Sequence, residues 1–365
     1  MAPAQAWNAL TVAACTDLAD TPATHTALAP AGDLSPWSRT AVNWEKAHRP
    51  PSKPDVVYEG GNRMSDTASH ALGDSPKLCL LTTSHNGGLA MTAQTSAATA
   101  GIAGMAARLQ KAYPRLWPET IRGLIVHSAE HTQAMRDRAS AGRQGAEMQK
   151  ALLQRYGYGR PDRAVAMQNA EDALTLIVQG TLLPLRSNRA ERQEAAILGY
   201  MRFHELPWPI EVLQELEGTR AEMRVTLSYF VEPNPAAVLT GELASYPSHV
   251  LDFDVMRPDE SAEDAIARVN HALRAQRRQI QAESPDWTFG PRARGRGGLK
   301  HDRLENVTAA DLARMGGVSV FPGKGWWGTQ FERVEQQVRY SLIVSIRTPE
   351  VEIYNEIANA IEVET

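Results

Sequence analysis

From Leu78 to Ala107 the chain carries no Asp, Glu, Lys or Arg, in a protein where those four types make up 22% of the residues. Such a stretch has few ways to fold. Thr, Ser, Asn, Gln, His and Gly interrupt it too often for a bilayer span, which needs about 20 predominantly apolar residues in a row. A buried helix in a globular core accounts for it better. From Ser96 to Leu109 the side chains are small on almost every face, until Pro114 closes the run. That predicts a helix docked tightly on a sheet, because wide side chains would hold the two apart.

The flanking patterns fill in an α/β frame. Asn8–Ala14 is an apolar run with β-branched residues, the length of a buried strand, and Val56–Tyr58 is a second that stops at Gly60-Gly61. Pro118 suits the first turn of a further helix, where a missing N–H costs nothing, with Ile121, Leu124, Ile125 and Ser128 on one face. Arg136–Lys150 is polar and reads as a loop with some helix. Tyr156-Gly-Tyr-Gly-Arg-Pro-Asp162 then breaks the chain before a short helix around Arg163–Asn169. After about residue 172 the composition changes. Leu174–Leu183, Ala195–His204, Arg220–Val231, Ser248–Met256 and Val338–Ile346 have strand character, with one helical stretch at Ala262–Gln281. The expected architecture is an α/β domain over residues 1–170, followed by a mostly β, sandwich-like domain over 171–365 with one inserted helix. A length of 365 residues accommodates both.

Charge narrows the partners. With 38 basic against 42 acidic residues the net charge is −4, which gives no reason to expect nucleic acid or an anionic membrane. The two cysteines, Cys15 and Cys79, make no disulfide framework and are expected to be reduced. The N-terminus has neither a basic n-region nor a sustained apolar core, so a soluble, cytoplasmic protein is expected.

Four segments carry a family resemblance. Gln94-Thr95-Ser96-Ala97-Ala98-Thr99-Ala100 resembles the nucleophile motif of the subtilases, usually Gly-Thr-Ser-x-Ala. Lys53-Pro54-Asp55-Val56-Val57 with Gly60 resembles the family's strand before its substrate-binding region. Tyr113-Pro114 through Ile125 resembles its second helix, and Tyr158-Gly159-Arg160 with Asp162 and Ala164 resembles the segment that often closes the catalytic domain. Together they cover roughly residues 5–170, in the family's order. The resemblance implies a partial subtilisin-like domain with a parallel sheet and peptide-bond hydrolysis through an acyl-enzyme on Ser96. Thr95, Ser96 and Ala97 form the motif around the oxyanion, and the segment with Ser84, His85, Gly87 and Gly88 lies near a peptide or protein substrate. No metal or other cofactor is required for that chemistry. The physical basis is general: a serine at a helix N-terminus has unpaired N–H groups beside it and sits at the positive end of the dipole. The alternative for Ser96 is a plain helix cap.

Two departures from the family stand out. Gln94 replaces the usual Gly, and the family's Asp and His motifs and its oxyanion-hole Asn lie upstream of the strand matched to Asn8–Ala14. A hydroxyl is a poor nucleophile without a base in reach. The expectation is therefore a fragment inactive on its own, with a separate chain supplying the missing half across an open edge at Asn8–Ala14. His25, His48, His70 and His85 precede Ser96, as do Asp17, Asp33, Asp55, Asp66 and Asp74, but none has a triad-like setting; loop polarity is their expected role.

Competing readings belong to other classes. His127-Ser-Ala-Glu130-His131 fits H-x-x-E-H, in which two His share a zinc ion and the Glu acts as base. On a helix, however, the His pair would lie on the flank and Glu130 opposite the apolar face. The arginine cluster from Arg292 to Arg296 is expected to be a solvated loop rather than an RNA-binding segment. Trp326 and Trp327, between glycines, suggest a packed turn or an exposed contact surface. A non-catalytic binding protein derived from a subtilase is the remaining alternative, with the β-rich half as its docking module.

Overall fold

The computed structural model describes residues 6–42, 53–170, 174–187, 196–240, 246–274, 287–294 and 297–348. The chain forms two units, and crosses between them more than once. Of the described residues, those within 1–44, 51–115 and 128–166 make the first, and those within 116–127 and 167–365 make the second.

In chain order the strands β1 (Val12–Thr16), β2 (His25–Ala27), β3 (Asp33–Leu34), β4 (Val56–Glu59), β5 (Met64–Asp66) and β6 (Leu72–Gly73) precede a hairpin of β7 (Leu80–Thr83) and β8 (Leu89–Thr92). Helix α1 (Gln94–Ala112) follows directly. Helix α2 (Pro118–His127) falls in the second unit. The chain then continues through β9 (Ala129–Glu130), α3 (Gln133–Ser140), α4 (Gly145–Tyr156), β10 (Arg160–Pro161) and α5 (Arg163–Asn169).

β1 is the middle of a three-stranded sheet. It runs parallel to β4, with Val12 opposite Val56 and Cys15 opposite Glu59, and antiparallel to β3. The strand starts later than the sequence pattern suggests because polar groups hold the residues before it. Thr11 N–H donates to the Asp55 carboxylate at 2.7 Å, and Lys53 Nζ donates to both the Ala9 carbonyl and Asp55. The edge expected to be open at Asn8–Ala14 is covered at its end, from Ala14 onward. On that side β3 pairs with Cys15 and Thr16, Ser35 N–H donates to the Ala14 carbonyl, and Ser38 Oγ accepts from Ala14 N–H.

α1 lies against β1 and β4. Its buried stripe is Ala98, Ile102, Met105 and Leu109, and Gly101 lets the Tyr58 ring approach so closely that a Cβ there would stand 2.6 Å from it. The expected burial on every face is corrected: Ser96, Thr99, Ala100, Ala103, Gly104 and Ala107 are exposed. A three-stranded sheet of short strands covers one side of a 19-residue helix and leaves the other bare.

The polar stretch from Arg136 to Lys150 is more helical than its composition suggests. Met135, Ala139, Ala151, Leu152 and Tyr156 turn inward to pack on Ala13, Cys15 and Val57, and the charges stay outside. After α4 the chain folds back at Gly157 and Gly159, with φ of +59° and +107°. A Cβ at Gly157 would lie 2.3 Å from the Pro54 and Asp55 carbonyl oxygens, and one at Gly159 would lie 2.4 Å from the Glu130 carbonyl. Only glycine allows that approach, through which Val57 N–H reaches the Gly159 carbonyl and Tyr158 N–H the Asp55 carbonyl.

The second unit contains β11 (Thr175–Leu182), β12 (Leu185–Ser187), β13 (Ala196–Leu198), β14 (Arg202–Glu205), α6 (Ile210–Glu215), β15 (Arg220–Ser228), α7 (Pro235–Thr240) and β16 (Val250–Val255). It ends with α8 (Ala262–Arg274), α9 (Gly290–Arg294), β17 (Leu299–Thr308), α10 (Ala309–Arg314), β18 (Gly317–Gly323) and β19 (Val338–Arg347). Among the described residues these strands form two larger antiparallel sheets, ordered β11-β19-β15-β17 and β14-β18-β16, and a two-stranded antiparallel pair, β12-β13. Helix α2 covers one face of the first. Arg122 donates to Ser228 Oγ and to the carbonyls of Tyr229 and Gly298, Thr120 donates to Gln179, and Glu119 takes a bidentate contact from Arg339. The opposite face, with Met223, Val225, Leu227, Leu342 and Val344, is buried. There Tyr340 Oη lies 2.8 Å from His204 Nε2 of the other sheet.

Several details differ from expectation. Among its described residues the β-rich half contains five helices, α6 to α10, rather than one; residues 275–281 of the predicted helix lie outside the described residues. Ala195–His204 is two strands, β13 and β14, separated at Gly199. The arginine cluster is not a solvated loop where it is described, because Arg294 is completely buried. Trp327 is packed, its Nε1 donating to the Glu232 carboxylate at 3.0 Å. Among the described residues no helix is long and apolar enough to cross a membrane.

Candidate active site

Strand β8 delivers the chain to α1 through Ala93, whose side chain offers no cap. Gln94 opens the helix in the left-handed region, at φ +79°, and its N–H donates to the Gly60 carbonyl at 2.7 Å. Gly60 follows β4, so the helix start is pinned to the end of that strand. The sequence pattern singled out Gly60-Gly61 as a strand stop without this role. Ser96 is the third helical residue and is exposed. It is therefore not the helix cap, since Ala93 holds that position. Thr132 and Thr308, by contrast, cap α3 and α10 with their hydroxyls. The first-turn N–H groups of Thr95 and Ser96 have no intrahelical acceptor and no capping side chain. An oxyanion formed at Ser96 would meet those N–H groups and the positive end of a 19-residue helix.

A left-handed Gln costs free energy that glycine does not. Gln94→Gly is expected to stabilise the first unit by roughly 0.5–1 kcal/mol once the added freedom of the unfolded chain is subtracted. Urea unfolding measures this, and a net loss would mean the Gln94 side chain makes an offsetting contact.

Ser84, His85, Gly87 and Gly88 form the tip of the β7–β8 hairpin. Gly87 N–H donates to the Ser84 carbonyl, Ser84 N–H to the Gly88 carbonyl, and Asn86 N–H to Ser84 Oγ. Strand β8, roughly 13 Å long at about 3.3 Å per residue, separates this tip from α1. In the hairpin register Leu81 opposes Met91 and Thr83 opposes Leu89. Those four share a face, on which Leu81 is 68% exposed, Leu89 68% and Met91 57%. The charge-free segment thus presents an uncovered apolar surface on the hairpin that leads into α1.

The upstream histidines and aspartates form other partnerships. His25 Nε2 lies 4.0 Å from Asp66 across β2 and β5, with Thr24 Oγ1 2.9 Å from its Nδ1. That order resembles a triad, but the Asp66 carboxylate is held by the N–H groups of Ala68 and Ser69 and by Ser69 Oγ, which keep its pKa below the ordinary carboxylate value. His70 sits in a left-handed turn and His85 at the hairpin tip, while His48 lies outside the described residues. Among the described residues no histidine hydrogen-bonds to Ser96 Oγ. The aspartates carry more structure than loop polarity suggests. Asp33 is buried, accepting from Tyr156 Oη at 2.6 Å and from Arg138, and Asp55 holds Lys53 and Thr11. Asp17 and Asp74 pair with Arg160 and Arg63.

The zinc reading fails on geometry. α2 ends at His127, and Glu130 and His131 follow in and after β9, so the motif does not lie on one helix. His127 is buried against Thr226 and Ser345 in the second unit, whereas His131 donates to the Gly157 carbonyl in the first. Among the described residues no group of three potential ligands is arranged to hold a metal.

Residues 1–159 match the model of the subtilase family, the family to which the four motif segments pointed. Among solved structures, the serine protease of Aeromonas sobria is 15% identical over 92% of this chain and 57% of that one. Its TM-score is 0.27, too low to support an argument about the fold. The present chain thus spans little more than half of that protein's length. No curated protein matches.

Proposed function

We propose that the subtilase-like segment, residues 1–159, contributes the nucleophile of a serine endopeptidase, with Ser96 Oγ attacking the scissile carbonyl. The observation that carries this is the first turn of α1, where an exposed serine sits beside two free backbone N–H groups at an uncapped helix end. The hydroxyl proton must go to a base. The reading assigns that base, and the carboxylate orienting it, to polypeptide that docks on the charge-free face formed by the β7–β8 hairpin and the outer side of α1. An exposed Leu81, Leu89 and Met91 favour such a cover over bulk water. The segment with Ser84, His85, Gly87 and Gly88 would then border the peptide substrate. The same face would equally serve a binding protein that has lost catalysis, so the test must separate the two.

Fluorophosphonate labelling does so, applied to the chain and to Ser96→Ala, each alone and mixed with a polypeptide carrying the Asp- and His-bearing strands of a subtilase. Alone, neither protein is expected to label. In the mixture the chain should label at Ser96 and the variant should not. Labelling of the chain alone, lost in the variant, would place the base within the 365 residues and remove the docking partner. A mixture that assembles without labelling would favour the non-catalytic reading.

A further inference from the structure

Three arginines from three elements, Arg136 of α3, Arg160 of β10 and Arg163 at the start of α5, line one cleft of about 730 Å³ in the first unit. Tyr58 and the buried His131 form part of its wall. The volume falls in the range of about 300–1,000 Å³ usual for small-molecule sites. Folding alone does not reward this arrangement. Arg136 and Arg163 are exposed, and among the described residues neither side chain has an ion pair or hydrogen bond. Each stands in or beside the first turn of its helix, where the macrodipole disfavours a cation, and neither helix has an acidic residue in that turn. The nearby carboxylates are engaged: Asp17 pairs with Arg160, and Asp162 accepts the Val165 N–H at the start of α5. Glu130 also borders the cleft.

We propose that this cleft binds a small molecule bearing a compact oxyanion, phosphate or carboxylate, gripped between the Arg136 and Arg163 guanidinium groups. A planar guanidinium presents paired N–H donors that match such an oxyanion in two-point contact, and two of them lining one cleft from separate helices supply both the charge and the donors. The inference depends on neither Ser96 nor the family. It would stand if the chain had no peptidase role.

Titration calorimetry with inorganic phosphate and with succinate, at ionic strength held constant with sodium chloride, tests it on the full chain. Saturable one-site binding is expected, weakened at least tenfold in Arg136→Ala/Arg163→Ala and unchanged in Arg108→Ala, an exposed arginine on α1. Both cleft arginines are exposed, so the double variant should melt at the wild-type temperature without anion; Arg136→Gln alone provides a milder second variant. Saturation by phosphate but not succinate assigns a phosphate ligand, and the reverse a carboxylate. Heat no larger than that of added chloride, or equal affinity in the double variant, overturns the proposal.

Discussion

Replacing Asp302 by alanine is expected to cost about 3–5 kcal/mol of stability, the range for removing one partner from a buried ion pair. The carboxylate is completely buried and takes four donors: the N–H groups of Phe289, Arg303 and Gly290 at 2.8–3.0 Å and Arg294 Nη1 at 3.1 Å. Arg294 is equally buried. Its guanidinium lies 4.0 Å from the Phe253 ring centroid and 4.7 Å from that of Trp287, with Nη2 on the Phe253 carbonyl. Without Asp302 the nearest carboxylate to that cation is Asp252, 3.9 Å from Nε and already paired with the buried Lys300. The alanine variant therefore leaves three N–H groups without their acceptor, and a fully buried cation without its hydrogen-bonded carboxylate. Arg294→Leu/Asp302→Leu should cost less than the two single changes added, because the pair is then removed together. Urea unfolding followed by circular dichroism measures the loss. A loss below about 1 kcal/mol for Asp302→Ala would mean that solvent reaches the pair.

This network also marks the boundary of what sequence reasoning could see. β17 opens Leu-Lys-His-Asp-Arg-Leu, whose charged middle gives no local strand signal, yet those six residues are buried. The strand is legible only when Asp252 of β16 is known to meet Lys300 and α9 is known to set Arg294 on Asp302, and those contacts span up to 48 residues of sequence. Strands β11, β15, β16 and β19 were found because their alternation and β-branched content are local signals. The family resemblance around Thr95-Ser96-Ala97 and the helix after it is legible for a similar reason, because those residues are contiguous. What composition could not tell is which side of α1 would be covered. Small residues fit a buried face and a bare one alike, and the outcome depends on how many strands lie beneath the helix. Gln94 is intermediate. Its identity departs from the family's glycine in the sequence, but only the backbone reveals that the position is left-handed at φ +79°.

Acid should unfold the second unit well before most carboxylates protonate. His249 is buried between the Tyr229 and Trp327 rings, with Ser248 Oγ on Nδ1, and burial lowers its pKa from 6.5 to about 4. His204, against Tyr340, is also lowered to about 4 by burial and then by Arg202. His127 is lowered in the same direction, because it is fully buried and faces Arg224 and Arg347. The sign follows from linkage. Below pH 6.5 the unfolded chain binds a proton at each histidine while the folded one refuses it, so stability falls as pH drops from 6.5 towards 4. With about 1.36 kcal/mol per pK unit, His249 and His204 should each cost roughly 2 kcal/mol between pH 7 and pH 5, and His127 adds to the slope. His249→Gln keeps a hydrogen-bonding group beside Ser248 and cannot charge. Its urea midpoint should start lower at pH 7 yet fall less on going to pH 5, and the curves of variant and wild type should converge. Parallel curves would mean that His249 is already solvated enough to titrate normally, and that the acid sensitivity of the unit lies elsewhere.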